Sequence, residues 1–114
     1  MSIEDVKQID LVGIDRESGD VELTVSDHLD WRNSQAHQLA LQSKLNTYLA
    51  FIESGEIYEK YPKAQGRRLV ITVAGKYAPD SGGKNFLEKV KSAVEGAGFG
   101  FKYELFSVNP DHPF

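Results

Sequence analysis

The chain has 114 residues, a net charge of −4 and no cysteine. That length suffices for one domain with its own core, while the missing cysteines exclude disulfides, thiolate metal sites and a cysteine nucleophile and allow a cytoplasmic setting. The modest, mixed charge argues against a nucleic-acid partner, which demands several neutralised phosphates, and the opening residues MSIEDVKQID, acidic and without an apolar run, predict neither a signal peptide nor a membrane span.

Ile9 to Ile14 is apolar and β-branched, and Asp20 to Ser26 alternates Val21, Leu23 and Val25 against Glu22 and Thr24. Both patterns predict strands. The polar run Asp15-Arg16-Glu17-Ser18-Gly19 between them predicts a hairpin turn in which Gly19 takes a positive φ. Asp27 to Asn33 reads either as a loop or as the start of a long helix; a turn, or a short separate helical turn, is preferred, with Asn33 or Ser34 capping the main helix.

Ser34 to Ser54 carries Leu41, Leu45, Tyr48, Leu49 and Ile52 at spacings of three and four, an apolar helical stripe, and Gly55 ends it. At 1.5 Å per residue this helix is roughly 30 Å long and crosses the domain. Glu56 to Gly66 is a connector whose Ile57, Tyr58 and Tyr61 fold back over the core, with Pro62 and Gly66 as breakers. Arg67 to Ala74, with Leu69, Val70, Ile71 and Val73 nearly continuous, predicts an interior strand.

The loop from Gly75 to Gly83 leads into a second amphipathic helix starting near Ser81, with Phe86, Leu87, Val90, Ala93, Val94 and Ala97 on one face. Phe99 to Ser107 alternates and predicts the last strand. The expected fold class is α+β: a two-layer sandwich of order β-β-α-β-α-β, with a four-stranded mixed sheet and both helices on one face. It is a single domain over 1–114 with a loose tail from about residue 108.

Chemistry concentrates in Ser26-Asp27-His28-Leu29-Asp30-Trp31, with His37 further on. Asp27, His28, Asp30 and His37 offer oxygen and imidazole donors of the kind zinc, manganese or iron accept, but their spacing fits no defined metal motif. The structural reading weighs more: Asp27 and Asp30 serve a helix start, and Trp31 packs at the edge of the core. Ser26, Asp27 and His28 are consecutive, so they cannot form a relay that needs separate backbone segments.

The glycines around Lys76 and Lys84 match no phosphate-binding motif, and an anion at the second helix start is the lesser reading beside a flexible loop. Tyr58 and Tyr61, beside charged residues in the connector, are the candidates for an exposed interaction surface.

The phrase Asp27-His28-Leu29-Asp30-Trp31, His37, and then Leu41 through Ile57 (LQSKLNTYLAFIESGEI) resembles a family of small bacterial proteins catalogued as a domain of unknown function. Phe86-Leu87, Ala97-Gly98-Phe99 and Tyr103-Glu104 extend the resemblance over nearly the whole chain. It implies a free-standing bacterial domain and brings no activity with it.

The first functional expectation is a non-enzymatic cytoplasmic protein-interaction module of accessory or immunity type. The second is a small-ligand or metal-binding protein, with enzymatic activity left open, whose site lies around Asp27, His28, Asp30 and Trp31. Homodimerisation through a sheet edge is the third. Neither a catalytic residue, a cofactor nor a membrane partner is assigned.

Overall fold

The computed structural model describes Ile3 and residues 8–105. Four strands form one sheet in the order β1-β2-β3-β4: β1 Leu11–Ile14, β2 Val21–Asp27, β3 Leu69–Gly75 and β4 Gly100–Leu105. β1 is antiparallel to β2, and β2, β3 and β4 are mutually parallel. Each parallel step needs a crossover, supplied by α1 (Ser34–Glu53) between β2 and β3 and by α3 (Ser81–Gly96) between β3 and β4. Two crossovers of one hand stepping in the same direction put their helices on the same face, and α1 touches α3.

The expected mixed sheet and two-layer arrangement are therefore present, with three helices rather than two. The extra helix is α2 (Glu56–Lys60), followed by a 3-10 turn at Pro62–Ala64. Gly55, at φ +82°, reverses the chain after α1. Five residues are too few to display a helical period, so the sequence of this helix carries only the marks of a connector. The connector does fold back as expected at Ile57, which is fully buried; Tyr58 is half-buried against the core and Tyr61 is exposed.

Strand β1 is shorter than the predicted Ile9–Ile14. Asp10 ends it by turning its carboxylate onto the Ser26 amide (3.1 Å), while the Asp10 amide donates to the Tyr48 hydroxyl (2.9 Å). A side chain thus satisfies the amide that a longer β1 would have paired. The hairpin turn follows its sequence: Asp15 Oδ1 accepts from the Glu17 and Ser18 amides, and Gly19 sits at φ +77°. Phe106, Ser107 and the tail expected from about residue 108 lie outside the described residues.

The register aligns Leu23 with Ile71 and Phe101, and Val25 with Val73 and Tyr103, on the face toward the helices. Leu41, Leu45, Tyr48 and Ile52 of α1 and Leu87 and Val94 of α3 complete this core. The buried stripe of α3 is narrower than its sequence pattern, since Ala93 and Ala97 are exposed. The opposite face is polar: Glu22 accepts from the Thr72 hydroxyl (3.0 Å) and pairs with Lys102 (3.6 Å), which also reaches Glu104.

Two tyrosines link this core to pH. Burial pushes the Tyr48 phenol far above its ordinary range, with its hydroxyl donating to the Thr24 carbonyl at 2.6 Å. Tyr103 is raised first by burial and then by the Asp27 carboxylate. Tyrosines of the unfolded chain ionise near pH ~10, whereas these stay protonated in the native state. Stability from a raised group is complete below the unfolded value and is lost as pH rises toward the folded one. Urea midpoints measured in steps from about pH 8 to about pH 11 are expected to fall above about pH 10. Tyr48→Phe should start lower and fall less steeply; an identical slope in the variant would contradict this assignment.

Candidate functional site

The Asp27-to-Trp31 segment sits where β2 hands over to α1, at the carboxyl end of the parallel strands. Asp27 is the last residue of β2 and points to the helix side, so its carboxylate enters the layer between sheet and helices. His37, one turn into α1, meets it there: Nε2 lies 2.6 and 2.8 Å from the two carboxylate oxygens, and both side chains are almost fully buried. His37 Nδ1 is 3.0 Å from the Asp30 carbonyl. A carbonyl only accepts, so Nδ1 carries hydrogen, and the short contact at Nε2 requires one further proton between ring and carboxyl. The pair therefore holds its proton between two groups that are almost fully buried.

Trp31 closes this arrangement. Its ring stacks on His37 at 3.7 Å, and its indole N–H donates to the Tyr77 carbonyl at 3.2 Å. The Tyr103 hydroxyl donates to the same carbonyl. Gly83 lies beneath the indole, where an added Cβ would meet the ring at 2.8 Å. The loops after β2 and β3 are thus tied together by one carbonyl, one indole and one glycine.

Of the five residues singled out in sequence, the structure brings Asp27, Trp31 and His37 together and leaves two apart. Asp30 contributes its carbonyl to His37, but its carboxylate turns to the Arg32 amide (3.1 Å) and guanidinium (3.6 Å). His28 is exposed and lines, with Asp30, Asn33 and Tyr77, an open recess of about 390 Å³. Among the described residues, no three His, Asp or Glu side chains converge as a metal centre would require.

Both helix starts beside this recess already hold their own acceptors. Asn33 Oδ1 accepts from the Ala36 amide, and Asp80 Oδ1 accepts from the Gly83 amide at 2.7 Å and from the Ser34 hydroxyl at 3.0 Å. A side-chain carboxylate occupies the place an anion would take at the start of α3.

A second buried polar centre escaped the sequence reading. Lys44 of α1 is fully buried, with Nζ 2.9 Å from Asp10 Oδ1 and 2.6 Å from the Gln8 carbonyl. The signal was available: His37, Leu41, Lys44, Leu45, Tyr48 and Ile52 share one helical stripe, so two polar residues stand at core positions. A charged residue in phase with apolar neighbours requires a buried partner.

The third region is the outer edge of the sheet. Val12, Gly13 and Ile14 of β1 face Tyr61, Pro62 and Ala64 of the connector across a largely apolar groove of about 430 Å³, with Lys60 and Lys63 at its rim. Tyr61 also borders an adjoining recess of about 620 Å³ with Gln8, Ile9 and Phe51. Of the two tyrosines expected to form an exposed pair, Tyr61 does so and Tyr58 packs against the core.

The model of a family of unknown function, DUF6572, matches residues 1–107. No curated protein and no solved structure matches the chain.

Proposed function

Since the chain belongs to that family of unknown function, we propose from its own geometry that it is a non-enzymatic protein-interaction module, working in the bacterial cytoplasm. The observation that carries this reading is the apolar edge at β1: Ile14 and Tyr61 are 41 and 43 % exposed around one groove, and Leu11 is 60 % exposed on the other face of the same strand. Among the described residues no strand pairs with the outer side of β1. An edge strand with apolar side chains offers backbone hydrogen bonds together with side-chain pockets, the two elements of recognition by strand addition.

The test is affinity capture with purified wild type, Tyr61→Ala and Leu39→Ala, the last being an exposed site on α1 away from the groove. A protein retained by wild type and Leu39→Ala but lost with Tyr61→Ala supports the reading. Equal retention by all three overturns it.

A second reading, a small-ligand site beside Asp27, His28, Asp30, Trp31 and His37, is favoured by the recess at the carboxyl ends of the parallel strands, where ligands of open α/β sheets commonly bind. Against it stands the mutual satisfaction of Asp27 and His37. A thermal-shift screen with divalent metals, phosphates and metabolites decides: a ligand at 100 times its dissociation constant adds about 2.7 kcal/mol, and a shift seen in wild type but absent in His28→Ala places a ligand there.

A further inference from the structure

The free edge has a definite hydrogen-bonding phase, and that phase restricts what can occupy it. The Asp15 amide donates to the Asp20 carbonyl at 2.8 Å, so Asp15 points its backbone groups toward β2. Antiparallel strands alternate, so Gly13 and Leu11 also bond toward β2, opposite Glu22 and Thr24. Val12 and Ile14 therefore direct their N–H and C=O groups away from the sheet. The series stops at both ends: the Asp10 amide is held by the Tyr48 hydroxyl, and beyond Asp15 the chain turns. Among the described residues, Val12 and Ile14, offering two donors and two acceptors, make up the available edge.

We infer that this edge takes the same edge of a second copy of the chain, antiparallel, about a two-fold axis at Gly13. The inference rests on the reading of β1 as the interaction surface and names its occupant. With the axis at Gly13, Val12 pairs with Ile14 of the second copy and Ile14 with its Val12, which uses every outward group in four hydrogen bonds. An axis at Val12 would set Ile14 against Asp10, whose amide is already engaged; an axis at Ile14 would set Val12 against the hairpin turn. The edge is thus self-complementary in one register, as a two-fold interface must be.

Side chains agree with that register. The two Gly13 residues would form the close, non-hydrogen-bonded pair, with Cα atoms about 4.5 Å apart, and nothing lies within 4 Å of the Cβ position at Gly13. On the helix-side face, Val12 and Ile14 of both copies meet beside Tyr61, so the apolar groove of each copy is continued by the other. The same rotation carries the acidic turn at Asp15 and Glu17 toward the Gln8 and Ile9 end of the second copy, where Lys60 lines the adjoining recess. Four backbone bonds and a few apolar side chains make a small interface, so association belongs in the micromolar range.

The chain has no cysteine, which permits a direct test. Gly13→Cys, on the axis, is expected to form a disulfide-linked dimer under mild oxidation at tens of micromolar protein, at least tenfold faster than Leu11→Cys, which faces Asp15 rather than itself. Light scattering of wild type should rise with concentration from 12.7 kDa toward twice that mass. Ile14→Pro, which removes an outward N–H that β2 does not use, should stay at the monomer mass with an unchanged far-ultraviolet spectrum. Hydrogen exchange of wild type serves where a variant does not fold: the Val12 and Ile14 amides should slow at least tenfold between dilute and concentrated protein.

A wild type that stays monomeric, with Val12 and Ile14 exchanging at the same rate at every concentration, overturns the inference, as does equal cross-linking of Gly13→Cys and Leu11→Cys. A monomer that still loses a captured protein in Tyr61→Ala would overturn the second copy alone and leave the interaction module standing.

Discussion

Lys44→Ala is expected to destabilise the protein by about 3–5 kcal/mol, the cost of stranding one member of a buried ion pair. Neither side chain of the Lys44–Asp10 pair has meaningful solvent contact, so water cannot take the place of the lost ammonium. Asp10 would keep its bond from the Ser26 amide, but its second oxygen would lose its cation. Domains of this size are stable by about 5–15 kcal/mol in total, so the variant should be partly unfolded at moderate temperature.

Chemical denaturation checks the value, and a double-mutant cycle isolates the pair. Lys44→Met combined with Asp10→Asn should recover much of the loss, because a neutral amide tolerates an apolar neighbour that a carboxylate does not. Purely additive effects in the cycle would show that the two groups stabilise the fold independently. The consequence reaches beyond the core. Lys44 and Asp10 anchor the chain immediately before β1, so losing either should loosen the edge assigned to recognition.

His37→Ala is the second large effect, again about 3–5 kcal/mol. It leaves the Asp27 carboxyl buried with the Leu29 amide as its remaining partner (3.2 Å) and removes the ring on which Trp31 stacks. Thermal unfolding should move down by more than about 10 °C, given roughly 4 °C or more per kcal/mol in a domain of this length. The fluorescence of Trp31, the single tryptophan, should change in the native state as its stacking partner disappears.

Asp27→Asn tests the proton shared at Nε2. An asparagine amide can donate to a neutral imidazole whose Nδ1–H still bonds the Asp30 carbonyl, so this variant should cost only about 1 kcal/mol. A loss in Asp27→Asn as large as that in His37→Ala would show that the pair depends on its charge. A loss below about 1 kcal/mol in both would remove the structural role assigned to it and strengthen the small-ligand reading.

The two buried centres explain how one long helix fixes both ends of its layer. His37, near the start of α1, ties it to the carboxyl end of β2, and Lys44, two turns on, ties it to the segment entering β1. Apolar packing alone tolerates sliding and repacking, whereas a directional bond between buried groups is lost by a displacement of an ångström or so. The apolar stripe of α1 sets which face is buried; the two polar residues on that stripe set where along the sheet it lies.

Much of this was legible in the residues themselves. The alternation of Val21, Leu23 and Val25, the continuous Leu69-to-Val73 run and the stripes of α1 and α3 determine strands and helices, because the periods of 2 and 3.6 are properties of the local backbone. Asp15 and Gly19 determine the hairpin, and Asn33 the start of α1, because turns and caps bond within a few residues. What only the tertiary structure decided is which distant groups meet. Asp27 and His37 are ten residues apart, Asp10 and Lys44 thirty-four, Trp31 and the Tyr77 carbonyl forty-six, and no local period encodes such distances. The exposed edge at Val12 and Ile14 belongs to the same class: the sequence marks β1 as a strand, but its place at the rim of the sheet, with Tyr61 beside it, follows from strand order, and strand order is set by how the crossovers pack.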